Sequence, residues 1–195
     1  AVLYATGRKP NTANIGLENT DITTNERGAI VVNDTCESSV PSVYAVGDVN
    51  GGPQFTYISL DDFRIVFGAL TGNGQYTLKD RKNIPYTTFL TPPLARVGLT
   101  EEDAINKGYT VKTKEMLVST MPRAHVNDYL KGAFKIVVDA DTDLILGATL
   151  YSQGAEELIN LIKMAMDNNI PYTYFKNQIF THPTMAENLN DLCNF

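Results

Sequence analysis

No tryptophan occurs in the 195 residues, and only two cysteines and two histidines do. Cys36 and Cys193 lie far apart, and no CxxC pair is present. That excludes a disulfide framework, and two cysteines in a chain of this size fit a reducing cytoplasm. Nor is there a basic excess. The 16 Lys and Arg are outnumbered by 22 Asp and Glu, for a formal charge of −6. With neither a basic stripe nor a basic tail, a general nucleic-acid or anionic-membrane binder is excluded. No apolar run approaches the roughly 18 residues of a membrane span, and no signal peptide is recognisable. No cluster of metal-ligating residues stands out, so no metal site is expected.

The chain has 43% hydrophobic and 19% charged residues, the balance of an ordinary folded protein. Its length suffices for one good-sized core or two small ones. The opening "AVLYATG" has no methionine and no polar leader, so the chain reads as a piece of a longer one.

The first half predicts strands and turns. Apolar runs at 1–5, 28–33 and 43–46 read as strands, the last ending abruptly at Gly47-Asp48. After the loop "GGPQ", residues 55–70 predict a helix, with Ile58, Phe63, Ile65, Val66 and Leu70 at helical spacing. Gly72-Asn73-Gly74 stops it, and the polar run 72–83 is the expected domain boundary. The second half reads differently. Strands are expected at 86–90 and 94–99, then a short helix capped by Thr100 and stopped by Gly108. A strand follows over 109–118, and residues 132–151 read as a hairpin around an Asp-rich turn. An amphipathic helix spans 154–169, and Pro171 opens a shorter helix running to 180.

Two stretches carry chemistry. Gly47-Asp48 ends a strand, where ligands of open α/β sheets bind. The glycine permits close backbone approach, and the carboxylate can accept bonds from sugar-like hydroxyls. The helix that follows offers its amino-terminal N–H groups, near Phe55 to Ile58, to an anion or an electron-rich ring. Taken without that helix, Gly47-Asp48 is better read as a plain strand-to-turn junction. The other stretch is "FTHPTMAEN", residues 180–188. Thr184-x-x-Glu187 fits a helix capping box, with Pro183 setting the entry angle. The alternative makes His182 an acid–base oriented by Glu187. Spacing alone favours the capping box. His125, in "PRAHVND", shows no partner and reads as a surface residue.

Four stretches occur in one order: "ATGRKPN" at 5–11, "VPSVYAVGDV" at 40–49, "FLTPPLARVGLTEEDA" at 89–104 and "THPTMAE" at 181–187. Together they resemble the carboxyl-terminal part of the pyridine nucleotide-disulfide oxidoreductases, the family of glutathione reductase, lipoamide dehydrogenase and mercuric reductase. The resemblance covers essentially the whole chain. "FTYISLDDFRIV" and "NQIFTHPTMAENLNDL" are most similar to its RclA-type branch.

The resemblance implies a fold: the returning half of an α/β FAD-binding domain over 1–80, then an α+β dimerisation domain over 84–195. It implies FAD and NAD(P)H as cofactors and a homodimer. Electrons would pass through flavin and a cysteine pair to a disulfide or metal-ion acceptor, in cell redox homeostasis. Asp48, with Gly47, matches the acid that holds the FAD ribityl chain. Thr56 opens the helix facing the flavin pyrimidine edge, and Gly7 and Arg8 match the turn after the NAD(P)H domain. His182 and Glu187 match the family's acid–base and its orienting carboxylate, which serve the redox cysteines of the other subunit. The resemblance also implies a cis His182–Pro183 bond, a state of only about 5–6% of X–Pro bonds. Both GxGxxG fingerprints and the paired redox cysteines of the family are absent from these residues. Cys36 reads as structural, and Cys193 as an incidental tail thiol. The alternative is that the chain in isolation is a non-catalytic dimerisation module.

Overall fold

The computed structural model describes residues 1–195. The chain divides into two compact units, Ala1–Arg81 and Lys82–Phe195. Helix α1, Thr56–Thr71, is the one long regular element of the first unit. The runs 1–5, 28–33 and 43–46 are not strands as expected. They are extended or turn-rich, with single bridges at Thr24–Ile30 and Glu37–Tyr44. A strand persists only where neighbours take up its N–H and C=O groups. Runs 28–33 and 43–46 make isolated bonds of this kind, such as Ile30 N–H to the Val49 carbonyl and Ala45 N–H to the Cys36 carbonyl, but no continuous ladder, and in the run 1–5 Val2, Leu3 and Tyr4 are each more than 80% exposed.

The inward stripe of α1 is Ile58, Asp62 and Ile65, spaced as one helical face requires. Phe63 and Leu70, expected on the apolar face, point outward and are 52% and 64% exposed. The apolar pattern misplaced them because a fully buried carboxylate, Asp62, occupies the inward stripe. Gly72 ends the helix at φ +71. Beyond it the chain folds back so closely that a Cβ on Gly74 would lie 2.5 Å from the Gly68 carbonyl carbon.

The second unit is a five-stranded antiparallel sheet in the order β1-β2-β5-β4-β3. Its strands are β1 Tyr86–Thr88, β2 Leu94–Gly98, β3 Val111–Leu117, β4 Ala133–Asp139 and β5 Ile145–Tyr151. The helices are α2 Glu101–Asn106, α3 Pro122–Val126, α4 Ala155–Asp167, α5 Tyr172–Asn177 and α6 Asn188–Leu192. Alternation along β4 puts Phe134, Ile136 and Val138 on the core face, each fully buried. Onto this face α4 lays Leu158, Ile159, Ile162 and Ala165, packing against β5 and β2. Beside it α6 covers β3 and β4 with Leu189 and Leu192. Each such large side chain stabilises the fold by about 1.5–3 kcal/mol.

Local chemistry sets the helix ends. Thr100 caps α2 as expected, its hydroxyl accepting the Asp103 N–H at 3.0 Å while Asp103 answers the Thr100 N–H. At the far end of α4, Asp167 accepts from Asn83 Nδ2 at 2.9 Å and pairs with Lys163. Helix α5 stops at Asn177, short of the expected 180. The Asn190 amide donates to the carbonyls of Phe175 and Gln178, at 2.6 and 2.9 Å. A further helical turn would have needed those acceptors. The same bonds tie α6 to the segment that leads into His182. No helix is long and apolar enough to cross a membrane.

Candidate functional site

The loop between α5 and α6 is shaped by its own side chains. The His182–Pro183 bond is cis, as is Thr91–Pro92. Thr184 Oγ1 donates to the Thr181 carbonyl at 2.8 Å and accepts the Glu187 N–H at 3.2 Å. Glu187 then divides its carboxylate. Oε1 accepts the Thr184 N–H at 3.0 Å, and Oε2 meets His182 Nδ1 at 2.7 Å. Both hydrogen bonds of the capping box are therefore made, yet α6 begins only at Asn188. The two readings of this stretch are not exclusive, because one carboxylate serves both roles.

Protonation follows from the partners. The imidazole bond first, and the Thr184 N–H second, hold the Glu187 carboxyl below the usual carboxylate range. A carboxylate only accepts, so Nδ1 carries a proton, and in the neutral ring it is Nε2 that keeps a lone pair. The Glu187 side chain is 18% exposed and that of His182 is 67% exposed. An outward-facing imidazole is thus held by a shielded carboxylate. His125 is different: its Nε2 sits 2.8 Å from the Ser119 carbonyl, a local bond that sequence reading missed.

The second candidate lies in the first unit. Gly47–Asn50 forms a tight 3-10 turn, with Gly47 buried at φ +75 and Asp48 exposed. A Cβ on Gly47 would meet Ser59 Oγ at 2.6 Å, so the turn lies directly on α1. The Asp48 side chain joins no intrachain hydrogen bond or ion pair, which leaves its carboxylate open to a ligand. Helix α1 begins at Thr56 with no side-chain cap and no acidic residue in its first turn, so its positive end is unopposed. Gly7 and Arg8 lie in an exposed extended segment, Gly7 at φ +91, and no hydrogen bond joins them to this turn.

Neither thiol is poised for chemistry. Cys193 is fully buried in the core beside Leu189 and Leu192, and burial pushes its thiol up to about 12. It is a core residue, not a loose tail thiol. The signal was present in the spacing of Leu189, Leu192 and Cys193, which share one helical face. Cys36, at φ +63, is also buried; burial first and the Asp62 charge second raise it to about 11. Both thiols are expected to ignore Ellman's reagent in the native chain and to react once it is unfolded in guanidinium. A native titration of one thiol or more per chain would contradict this burial.

Residues 84–193 match the family described as pyridine nucleotide-disulphide oxidoreductase, dimerisation domain, and residues 1–62 match pyridine nucleotide-disulphide oxidoreductase. The chain belongs to this family. Among its relatives, a probable pyridine nucleotide-disulfide oxidoreductase RclA of Escherichia coli K12 is 49% identical over 192 residues, covering 98% of this chain and 44% of that protein. A mercuric reductase of Staphylococcus aureus is 37% identical over 188 residues, covering 96% of this chain and 34% of that protein. The solved structure of the HOCl-induced flavoprotein disulfide reductase RclA from Escherichia coli superposes with a TM-score of 0.94 at 48% identity. It covers 97% of this chain and 43% of that one. The chain thus spans less than half the length of these relatives. Members of the family use FAD and NAD(P)H. The open Asp48 carboxylate and the uncapped start of α1 fit a polyhydroxylated chain and an electron-rich ring, the two ends of such a flavin contact. These residues fall in the match over residues 1–62, and His182 and Glu187 fall in the dimerisation-domain match.

Proposed function

We propose that this chain is the carboxyl-terminal part of an FAD-dependent, NAD(P)H-using homodimeric oxidoreductase of the cytoplasm, working in redox homeostasis. Residues 1–80 close its FAD-binding domain and 84–195 form its dimerisation domain. The observation that carries the reading is the His182 Nδ1–Glu187 Oε2 bond of 2.7 Å on an exposed ring. FAD, when bound, supplies the electron relay between NAD(P)H and a cysteine pair outside this chain.

The chain's own residues hold and move the proton. With Nδ1–H committed to Glu187, His182 Nε2 takes the proton of a cysteine thiol of the partner subunit and returns it when that sulfur leaves. The Glu187 carboxylate stabilises the imidazolium formed in between. Asp48 would accept hydrogen bonds from the hydroxyls of the FAD ribityl chain. The Thr56 N–H, at the positive end of α1, would support negative charge on the flavin. Gly47 lets the backbone approach, and Gly7 and Arg8 form the turn that enters this domain.

The final acceptor is a disulfide or a metal ion. The names of the relatives support both classes, a flavoprotein disulfide reductase for the one and a mercuric reductase for the other. No group of three or more His, Cys, Asp or Glu side chains converges within residues 1–195 to hold a metal. A second reading, that the chain alone is a non-catalytic dimerisation module, is favoured by the self-contained core of the second unit.

Colour tests the module reading. The isolated chain is expected neither to hold FAD firmly nor to turn over NAD(P)H, since no GxGxxG turn is present to cradle the pyrophosphate. Stoichiometric FAD retained through gel filtration would refute that. It is also expected to sediment as a dimer, with α4 in the contact: Met164 on that helix is 56% exposed beside the buried stripe. A monomer at high micromolar concentration would count against it.

A further inference from the structure

Asp62 is the one carboxylate completely buried in the first unit, and no apolar pattern asks for it there. Every bond it makes is accounted for. Oδ2 accepts the Gly47 N–H at 2.7 Å and the Asn50 Nδ2–H at 2.9 Å. Oδ1 accepts from Arg81 Nη2. Arg81, 10% exposed at its side chain, also gives Nε to Asp61 at 2.7 Å, so one guanidinium serves two adjacent carboxylates. Asn50 is held in turn: its Nδ2 also reaches the Ala45 carbonyl at 3.2 Å, and its Oδ1 accepts the Gly52 N–H at 3.0 Å.

The two residues that Asp62 grips, Gly47 and Asn50, are the first and last of the turn that carries Asp48. Asp48 itself is exposed and makes none of these bonds. We propose that Asp62 is the positioning residue of this turn: its buried carboxylate, neutralised by Arg81, clamps both ends so that Asp48 stands out toward the FAD. Asp62 acts through Asp48 and touches no cofactor, being fully buried beneath it. The inference rests on the reading of Asp48 as an FAD contact.

The chemistry of the clamp makes the charge necessary. An asparagine has one acceptor oxygen and one donor nitrogen. With its oxygen toward Gly47 and Asn50, its NH₂ faces the Arg81 guanidinium, donor against donor. Flipped, it satisfies Arg81 but sets its NH₂ against the Gly47 and Asn50 donors. Either orientation releases one side of the clamp. Asp61 provides the control: it pairs with the same Arg81 but bonds no atom of the turn.

The test compares Asp62→Asn, Asp61→Asn and Asp48→Asn in the flavin-loaded full-length protein. It reads the FAD dissociation constant and the visible circular dichroism of the flavin, with the melting temperature taken alongside. Asp62→Asn is expected to weaken FAD by about 10- to 100-fold and to alter the flavin dichroism, the range for losing a charged hydrogen bond. Asp61→Asn is expected to lower the melting temperature while FAD affinity stays within about threefold. Asn50→Ala, which removes one jaw and keeps Asp62 paired with Arg81, is expected to weaken FAD by about 10-fold; it decides the matter if Asp62→Asn does not fold. FAD affinity unchanged in Asp62→Asn or Asn50→Ala, with Asp48→Asn weakened, overturns the inference alone. So does Asp61→Asn weakening FAD as much as Asp62→Asn. Unchanged affinity in Asp48→Asn overturns the FAD-contact reading, and the clamp's purpose falls with it.

Discussion

His182→Gln in the flavin-loaded full-length protein is expected to lower NAD(P)H-dependent reduction of a disulfide acceptor by about 10²- to 10⁴-fold, the range of a lost general acid–base. Reduction of the flavin by NAD(P)H should stay near the wild-type rate, because no step of it uses the imidazole. Stopped-flow absorbance separates the two. Glu187→Gln is expected to cost less, since its amide still offers Nδ1 an oxygen but no longer stabilises the imidazolium. The pH dependence has a definite sign. The His182 bond and the Thr184 N–H lower the Glu187 carboxyl below its usual value. Its charge is therefore fully present above the ordinary glutamate pKa of about 4.3 and is lost only as pH falls through the lower folded value. The Glu187 carboxylate should accordingly keep its infrared carboxylate band, taken by difference against Glu187→Gln, from neutrality down to about pH 5. Loss of that band within the window, or a His182→Gln enzyme that keeps its disulfide turnover, would remove this pair from the chemistry.

Phe134→Ala is the substitution with the largest expected effect on stability. Phe134 is fully buried near the start of β4, on the face that α4 and α6 cover. Truncation removes its transfer free energy and leaves a cavity that a sheet residue cannot collapse around, a loss of about 3–5 kcal/mol. For a unit of this size that corresponds to a melting temperature lower by more than about 10 °C. Leu117→Ala is the contrast, since that side chain is 56% exposed on the neighbouring strand; it should stay within about 1 kcal/mol. Equal losses from the two would mean that the core does not sit where the sheet places it.

The second unit was legible in the sequence because its signals are local and agree. Leu158, Ile159 and Ile162 declare the buried face of α4, and alternation through Phe134 and Ile136 declares β4. Thr100 and Asp103 announce the start of α2 by their own chemistry. The first unit was less so. The apolar runs 1–5, 28–33 and 43–46 carry the composition of strands, but strand formation depends on neighbours that composition does not contain. The inward face of α1 was misjudged at Phe63 and Leu70 because Asp62, a charge in a buried stripe, defeats any hydrophobic count. Its partner Arg81 stands 19 residues away, at the far end of the unit. The candidate site was half legible. The spacing of His182, Thr184 and Glu187 showed that a carboxylate could reach both a ring and a backbone N–H. That it does both at once depends on where the two oxygens point, which only coordinates display.

The most direct test of the account is an anaerobic titration of the purified full-length protein with NADH and with NADPH, followed in the visible. The protein is expected to be yellow, with one FAD per chain whose absorption bleaches with one of the two nucleotides. A colourless full-length protein that takes up no FAD would contradict it.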